Sequence, residues 1–453
     1  MRVFFTNLGC KLNQAEVDRM ARAFVAAGHR LAPALEAADL HVVNSCTVTH
    51  LAARDSRKIA RRGARLRDEM RTVLTGCYAT EAPEEAAALA GVDLVVPNAV
   101  KDELLERVHA AFPDVVPPAE EVGVPVPWVP LDVGHARALV KVEDGCNMRC
   151  AFCIIPSTRG RQRSRSVEDV VAEVRALERG GYAEVVVTGV QISEFAHGGQ
   201  RLYDLVRALL DQTDVPRLRL TSIAPWKFDR RLLELWRDPR LCRHVHMSLQ
   251  SGSSATLRRM RRPYSAEAYA ELAATLRAEI PGLALTTDVI VGFPGETRAE
   301  FDESLRFVER LRFARPHVFT YSDRPGTRAT ALPDKVSHAE KKARMAEMLA
   351  VAATSRRAFF AEQVGRELDV VWEERREGAG GVRWRGTSGN YVRVDMAADH
   401  GPRDRVGRLE RVRVTQAQAE RVDAEPVAVD DPAAGAGSLH GQTVGPLRQV
   451  ALR

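Results

Sequence analysis

Short apolar runs alternate with stretches of helical spacing over the first part of the chain. Apolar residues cluster at Val3–Thr6, Leu40–Val43 and Thr72–Thr75, which predicts three strands. Apolar positions three and four residues apart predict helices over Asn13–Ala27 and Ala52–Glu69. Strands that alternate with helices are typical of a parallel sheet. Residues 1–115 are therefore predicted to form a small parallel α/β domain.

A second series of strand and helix patterns occupies residues 136–364. Six such units predict an open, partial (βα)6 version of the eight-stranded barrel, in which chemistry takes place at the carboxyl ends of the strands. The predicted strands are Leu139–Val142, Glu184–Thr188, Arg217–Thr221, Val245–Leu249, Leu285–Val291 and His317–Tyr321.

The periodicity changes to short alternating runs over residues 365–422. This pattern predicts a small antiparallel β-barrel, so the chain as a whole is α/β with a C-terminal β module. The Pro-rich residues 116–135 are predicted to be an extended linker, and residues 423–453 are expected to be disordered. The predicted barrel strands are Leu368–Trp372, Val382–Arg385, Tyr391–Val394 and Leu409–Val414.

Composition limits the class of protein. A chain of 453 residues predicts two to four domains, and 45% hydrophobic with 28% charged residues is typical of a soluble globular protein. No apolar run is long enough to cross a membrane, and the N-terminus has a strand pattern rather than that of a signal peptide. We therefore expect a cytoplasmic protein without a membrane partner. The net charge of +6 permits an anionic partner such as RNA.

Three cysteines lie close together after the first strand of the second domain. Cys146, Cys150 and Cys153 are separated by three residues and then by two. An odd number of sulfurs does not make a disulfide framework, and soft thiolates suit an iron–sulfur cluster in which each binds a different iron. A four-iron cluster would then keep one iron open. The alternatives are a zinc site short of one ligand and clustered structural cysteines.

This spacing, with Phe152 before the last cysteine, resembles the radical S-adenosylmethionine signature. The resemblance implies that the amino and carboxylate groups of S-adenosyl-L-methionine bind the open iron of a [4Fe–4S] cluster. Cofactor contacts are expected at the ends of the following strands, although turn geometry alone also explains those residues. The candidates are Phe152, Thr188, Gly189, Ser222 and Gln250.

Cys10, Cys46 and Cys77 each follow the carboxyl end of a predicted strand. Those ends share one edge of a parallel sheet, so the three cysteines are expected to converge, unless they are unrelated buried cysteines. Their surroundings resemble the N-terminal domain of the methylthiotransferases, in which three cysteines hold a second, auxiliary [4Fe–4S] cluster. The segments that carry this resemblance are Gly9–Asn13 with Glu16, Val43–Val48 and Thr75–Tyr78.

The residues after Cys46, namely Cys46–Thr49 and Ser56–Lys58, are most similar to the branch of that family that acts on threonylcarbamoyladenosine. The resemblance implies C2 methylthiolation of N6-threonylcarbamoyladenosine at position 37 of tRNA. Two alternatives keep the chemistry and change the substrate, to isopentenyladenosine in tRNA or to a ribosomal-protein aspartate. A third is an RNA-binding iron–sulfur protein that carries electrons or senses redox state.

The family resemblance also implies a division of labour between the two cysteine sets. S-adenosylmethionine at the Cys146 set would yield a radical that removes hydrogen from the adenine carbon. Sulfur held at the Cys10 set, methylated by a second S-adenosylmethionine, would then be transferred. This scheme implies a flavodoxin- or ferredoxin-like electron donor and a sulfur donor, and a monomer is expected.

Two regions are candidates for contact with tRNA. Arg54, Lys58 and Arg61 fall on one face of the predicted helix after Cys46, either to contact phosphates or as a solvated surface. The C-terminal barrel resembles the TRAM module, which binds RNA. Its aromatic residues Trp384 and Tyr391, with Arg383, are expected to stack on bases, unless they belong to the barrel core.

Overall fold

A computed structural model describes residues 1–67, 69–115, 135–378, 381–398 and 405–427. Most of the predicted linker and nearly all of the predicted disordered tail lie outside the described residues. None of the helices described is both long enough and apolar enough to span a bilayer.

The N-terminal domain is built on a five-stranded parallel sheet with the order β2-β1-β3-β4-β5. All six residues of the central strand β3 are buried, because helices cover both faces of the sheet. The three predicted strands are confirmed, and two short edge strands were not predicted. The strands are β1 (Arg2–Asn7), β2 (Arg30–Leu31), β3 (Leu40–Ser45), β4 (Arg71–Gly76) and β5 (Leu94–Pro97).

The helices of this domain follow the sequence pattern with one correction. The predicted helix 52–69 is divided at Arg61, and Gly63 in its second part packs so closely on β4 that a Cβ would lie 2.7 Å from the Thr72 hydroxyl. The first part is capped by Thr49, whose hydroxyl accepts the amide of Ala52 at 3.1 Å. The helices are α1 (Lys11–Ala26), α2 (His50–Ala60), α3 (Arg62–Leu66), α4 (Cys77–Glu81), α5 (Pro83–Ala87) and α6 (Leu104–Ala111).

The central domain contains the six predicted strands as two three-stranded parallel sheets, β12-β9-β6 and β13-β14-β15. Isolated bridges join the two sheets at Leu218–Leu241 and Ile223–Met247, which gives an open, partial barrel. The remaining strands are short hairpin pieces. The strands are β6 (Ala138–Lys141), β7 (Glu143–Asp144), β8 (Arg163–Ser164), β9 (Glu184–Thr188), β10 (Ala196–His197), β11 (Gln200–Arg201), β12 (Arg217–Leu220), β13 (His244–His246), β14 (Ala284–Val291) and β15 (Arg315–Thr320).

Helices pack on the outside of this partial barrel, where alternate strand residues such as Val140, Val185 and Val289 enter the main apolar core. The opposite strand residues face the barrel interior and are largely polar. The helices are α7 (Ile155–Arg159), α8 (Val167–Arg179), α9 (Leu202–Gln212), α10 (Leu232–Leu235), α11 (Ser254–Arg259), α12 (Ala266–Glu279), α13 (Arg298–Leu311) and α14 (His338–Ala361).

The C-terminal module is a closed five-stranded barrel with the order β16-β17-β18-β20-β19. Its last strand, β20, pairs with β18 and β19 and carries the barrel past the predicted boundary at residue 422. That strand was missed because the sequence Val-Asp-Ala-Glu-Pro has only one large apolar residue. The strands are β16 (Glu367–Gly378), β17 (Gly381–Ser388), β18 (Arg393–Ala397), β19 (Leu409–Ala417) and β20 (Val422–Pro426).

A buried ion cluster attaches the C-terminal barrel to the central domain. Glu184 of β9 is fully buried and accepts from Arg217 at 2.5 Å and from Arg219 at 2.7 Å. Burial alone would raise the pKa of this carboxyl, but Arg217 and Arg219 hold it well below its usual range. The same guanidinium groups donate to backbone carbonyls of the barrel, at Asp369, Thr387, Ser388 and Gly389.

Replacing Glu184 by Gln is expected to destabilise the protein strongly, because two guanidinium groups stay buried without their shared carboxylate. Breaking a buried pair in this way costs about 3–5 kcal/mol in the free energy of unfolding. Urea unfolding followed by tryptophan fluorescence measures the effect. Glu347→Gln, which removes an exposed partner of Arg298, is the control and should cause no measurable change. Equal midpoints for both variants would contradict a role of Glu184 in attaching the barrel.

Candidate active site

The cysteine loop of the central domain lies between β7 and α7. Its backbone is folded tightly: the amide of Cys146 donates to Gly160 at 3.1 Å, and that of Cys153 donates to Cys150 at 3.2 Å. Gly145 has a φ of +73°, and a Cβ there would lie 2.2 Å from the carbonyl oxygen of Arg161. A side chain at that position would therefore push the loop open.

The thiols of this loop suit cationic iron. Burial raises the pKa of Cys146, and it raises the pKa of Cys153 to about 12. Thiolates form at such positions only if a nearby positive charge offsets the cost of burial, which metal binding does directly. The set provides three thiolates and therefore fits a four-iron cluster with one open iron.

A cavity of about 220 Å³ opens beside these cysteines, at the carboxyl ends of the barrel strands. Three of the predicted cofactor-contacting residues, Phe152, Ser222 and Gln250, line it. Ser222 and Gln250 both have left-handed backbone conformations, with φ of 53° and 69°. Backbone strain of this kind in non-glycine residues is concentrated at functional sites.

The other two predicted contacts need correction. Thr188 is buried, and the Thr221 hydroxyl donates to its hydroxyl at 3.4 Å. Gly189 packs against Glu143, where a Cβ would lie 2.7 Å from the carboxylate, so there is no space for a ligand on that side. The turn residues that line the cavity are Val190 and Gln191. The Glu143 carboxylate accepts the Gln191 amide at 2.9 Å, and burial raises the Glu143 pKa to about 8.

One wall of the cavity is polar. His246 of β13 lies 3.2 Å from the Asp288 carboxylate, and His317 of β15 lies 3.5 Å from its other oxygen. The Ser248 hydroxyl also donates to Asp288, at 3.2 Å. Burial would raise the pKa of Asp288, but the hydrogen bonds from the two histidines hold it well below its usual range. We call Asp288, His246, His317 and Ser248 the polar wall.

The second cysteine set lies at the edge of the N-terminal sheet. Cys10, Cys46 and Cys77 follow β1, β3 and β4, and the structure brings them together at the carboxyl ends of these strands. Gly9 packs against Cys46, since a Cβ at Gly9 would lie 2.9 Å from the sulfur. The Asn98 side-chain amide donates to the sulfur of Cys77 at 3.7 Å.

These thiols also suit cationic iron. Desolvation raises the pKa of Cys10, and burial raises that of Cys46 to about 12. Three thiolates fit a four-iron cluster with one open iron, because each thiolate binds a different iron.

A buried ion network lies between the two cysteine sets. Arg159, which follows the Cys146 loop, donates at 2.9 Å to both Glu16 and Asp144. Lys101 lies 2.8 Å from Glu16, and Lys141 lies 3.1 Å from it. Burial would raise the pKa of Glu16, but these cations hold it well below its usual range. We call Glu16, Asp144, Arg159, Lys101 and Lys141 the central ion network.

A second contact ties the central domain to the loop that holds Cys46. The guanidinium of Arg324, after β15, donates to the Thr47 hydroxyl at 2.6 Å and to the Glu81 carboxylate at 2.8 Å. Thr47 directly follows Cys46, and Glu81 lies four residues after Cys77. The positions of the two cysteine sets relative to each other are therefore determined by buried guanidinium groups.

The predicted RNA-stacking residues of the barrel make contacts within the protein. Trp384 is 2% exposed and packs in the barrel core with Trp372, because the barrel register turns it inward. Tyr391 stacks on His244 of the central domain, with ring centroids 4.3 Å apart, and its hydroxyl lies 3.3 Å from the Lys11 ammonium. Arg383 pairs with Asp423 of the barrel itself.

The predicted basic face of α2 remains open to solvent. Arg54, Lys58 and Arg61 are all exposed, and Arg54 pairs with its neighbour Asp55 at 3.2 Å. Lys58 and Arg61 have no ion-pair partner among the residues that the structure describes. Both are therefore free to contact an anionic ligand.

Two family models match the chain. Residues 140–308 match the Radical SAM superfamily, and residues 2–97 match the Uncharacterized protein family UPF0004. The threonylcarbamoyladenosine tRNA methylthiotransferase MtaB of Bacillus subtilis is 33% identical over 92% of this chain and 94% of its own length. The chain belongs to the tRNA methylthiotransferase family.

Other relatives extend the comparison. The MtaB enzyme of Aquifex aeolicus is 36% identical over 83% of this chain and 94% of its own length. The tRNA-2-methylthio-N(6)-dimethylallyladenosine synthase of Maricaulis maris is 33% identical over 92% and 95%. The radical S-adenosylmethionine methyltransferase TsrM from Kitasatospora setae shares the fold, with a TM-score of 0.52 and 18% identity over 70% of this chain and 72% of its own.

Membership of this family settles the class of enzyme and its cofactors. The methylthiotransferase is a transferase that acts on tRNA and uses S-adenosylmethionine with two [4Fe–4S] clusters. The two cysteine sets described above are the groups in this chain that fit those clusters.

Sequence reasoning missed several residues of the site. Lys101 and Lys141 carry no local signal, because a lysine on a helix or strand pattern is ordinarily solvated. His317 lies inside β15, where a single histidine gives no functional signal. The roles of these residues depend on partners distant in the chain.

Reconstituted methylthiotransferase is expected to contain about eight iron atoms per chain, because two separate thiolate sets each fit a four-iron cluster. Replacement of Cys10, Cys46 and Cys77 by Ala, or of Cys146, Cys150 and Cys153, should leave about four. Iron analysis under anaerobic conditions measures both. Cys242→Ala, which removes a buried cysteine outside both sets, should change nothing. About four iron atoms in the unmodified protein would contradict the assignment.

Tyr391 is expected to ionise near neutral pH, because Lys11 above all, then Arg137, Arg315 and Arg219, lower its pKa to about 7. The unfolded value is about 10, so ionisation of this tyrosine stabilises the fold as pH rises from 7 to 10, and the gain is lost as pH falls through 7. Tyrosinate absorbance of iron-free protein measures this. Tyr391→Phe should remove the step and Lys11→Met should move it upward, whereas titration of every tyrosine near 10 would contradict it.

Proposed function

We propose that this methylthiotransferase modifies C2 of adenosine that already carries N6-threonylcarbamoyl, at position 37 of tRNA. Overall identity does not choose between the substrates named for its relatives. The MtaB enzymes are 33–36% identical to this chain, and dimethylallyladenosine enzymes are 33% and 34% identical at similar coverage. The choice therefore depends on the chemistry of the cavity.

The polar wall carries the proposal. A threonylcarbamoyl group has a urea, a hydroxyl and a carboxylate, whereas a dimethylallyl group is a hydrocarbon. Asp288, His246 and Ser248 line the cavity beside the cysteines, and His317 adds a partly exposed imidazole to them. These groups bond one another, so a hydrocarbon against them would remove water from a charged cluster without offering a further hydrogen-bonding partner. A polar substituent provides hydrogen-bonding partners instead.

Polar groups continue from this wall into the barrel interior. His246 is within 3.0 Å of the Thr286 hydroxyl, which is 2.9 Å from His244. His244 stacks on Tyr391, and Lys11 and Arg219 lie over that same ring, at 5.1 and 5.3 Å from its centroid. A polar interior of this kind favours a polar substituent over an apolar one.

In the proposed reaction Cys146, Cys150 and Cys153 would hold the cluster that provides radical chemistry with S-adenosylmethionine, and Cys10, Cys46 and Cys77 would hold the cluster that provides sulfur. The protein residues provide placement. The central ion network keeps the two cysteine sets at a constant separation, so that a base held in the cavity has a defined position relative to both. Tight placement of this kind is a large part of what a protein contributes to cofactor chemistry.

The basic face of α2 is the proposed contact for the tRNA backbone. Arg54 and Lys58 are exposed on α2, which begins four residues after Cys46, and Arg61 is exposed at the C-terminal cap of that helix. Contacts from these side chains to phosphate would position the anticodon arm beside the auxiliary cysteines. With Trp384 in the barrel core and Tyr391 stacked on His244, this face is the better supported of the two predicted RNA contacts.

The proposed reaction also implies partners. It requires electrons from a flavodoxin- or ferredoxin-like donor and a sulfur donor that restores the auxiliary cluster. We place the enzyme in the cytoplasm as a monomer, where it meets mature tRNA.

Modification of purified tRNA tests the proposal. Reduced enzyme with S-adenosylmethionine should methylthiolate tRNA that carries threonylcarbamoyladenosine and leave tRNA that carries isopentenyladenosine unmodified, as measured by nucleoside mass spectrometry. His246→Leu should lower kcat/KM for the first substrate by roughly tenfold to a hundredfold, since a polar group that lines the cavity is lost. His338→Leu, on an exposed helix start, is the matched control. Modification of the isopentenyl substrate alone would overturn the proposal.

A further inference from the structure

Arg262 places a guanidinium group against one of the three thiols of the radical cluster site. Its Nη1 lies 3.3 Å from the sulfur of Cys150, and the side chain lines the cavity. The segment that carries it is attached to the cysteine loop, since the carbonyl of Met260 accepts the amide of Ala151 at 2.9 Å. The contact is therefore between two elements that are also joined through their backbones.

Aromatic rings hold this guanidinium in place. It lies 4.5 Å from the ring centroid of Trp226 and 5.3 Å from that of Tyr264, and the two rings are stacked 5.5 Å apart. The Nε of Arg262 donates to the Tyr264 hydroxyl at 3.1 Å, and this hydroxyl donates to the Leu249 carbonyl at 2.7 Å. An arginine held in this way loses little conformational entropy when it donates to sulfur.

The charge of Arg262 has no carboxylate partner. None of the ion pairs in the part of the chain that the structure describes includes it, although most of the buried arginines near the site pair with Glu or Asp. Its anionic neighbour is the Cys150 thiolate itself. A partly buried cation is stabilised by a neighbouring negative charge, and here the ligand of the cluster would supply that charge.

The three thiols of the loop differ in the charge of the groups that donate to them. The backbone amide of Met148 points at Cys146 from 3.4 Å, which is a neutral donor. In the auxiliary set, the neutral amide of Asn98 approaches Cys77 at 3.7 Å. Cys150 is the cysteine for which the structure shows a cationic donor.

We infer that Arg262 is a positioning residue that raises the reduction potential of the cluster held by Cys146, Cys150 and Cys153. Reduction adds one negative charge to the cluster, and a fixed cation that donates to a ligand sulfur stabilises the reduced state more than the oxidised state. Hydrogen bonds to ligand sulfurs and local charge are two of the properties that set cluster potentials. The inference depends on the cluster and is independent of which tRNA base is modified.

The test is a redox titration of reconstituted full-length enzyme without S-adenosylmethionine. Electron paramagnetic resonance monitors the reduced cluster during the titration. The signal is assigned by its loss when Cys146, Cys150 and Cys153 are replaced by Ala. Arg262→Gln removes the charge and should shift the midpoint potential to a more negative value. Arg262→Lys keeps the charge without the planar donor and should give a smaller shift in the same direction.

Arg258→Gln is the matched control, because it removes an exposed charge four residues away on α11. It should leave the potential unchanged. A potential in Arg262→Gln equal to that of the unmodified enzyme, at equal iron content, would overturn the inference, as would an equal shift in Arg258→Gln. If Arg262→Gln loses iron, Arg262→Lys decides: a more negative potential supports the bond to Cys150, and an unchanged potential overturns it.

Discussion

The pairing of Arg159 with Glu16 is the interaction on which the arrangement of the active site depends. Both side chains are nearly completely buried, and a buried charge without its partner costs several kcal/mol. Glu16 stands six residues after Cys10, and Arg159 stands six residues after Cys153. Any separation of the two cysteine sets would therefore expose or unpair these charges. The electrostatics of one pair thus determine the geometry of two sites.

The same physical rule applies at each domain junction. Arg324 donates to Thr47 in the loop that holds Cys46, and Arg217 and Arg219 donate to the C-terminal barrel. Each of these guanidinium groups donates to several acceptors at once. Arg is suited to this because its planar fork satisfies carboxylates and backbone carbonyls together. The central ion network contains three cations and two carboxylates, so it has an excess of positive charge. That excess suits anionic thiolate clusters on both sides.

Local patterns predicted the parts of the fold that depend on neighbouring residues. The six barrel strands and the position of Cys10, Cys46 and Cys77 at strand ends follow from periodicity and from the rule for parallel sheets. Contacts between distant segments were not predictable. Lys101 and Glu16 are 85 residues apart, and Arg159 and Glu16 are 143 apart. The inward orientation of Trp384 depends on the barrel register. Because charged residues stand on both sides of Trp384 in the sequence, the local pattern does not show which face of the strand is buried.

The burial of so many arginines changes the meaning of the net charge of +6. A basic composition suggests a broad surface for nucleic acid, but Arg159, Arg219 and Arg324 are used inside the protein, where tRNA does not reach. The positive charge available to phosphate is therefore smaller than the composition implies, and its position matters more than its amount. On this argument the exposed face of α2 is significant because it lies next to Cys46. A few phosphate contacts there would be enough to bring the modified base toward both cysteine sets.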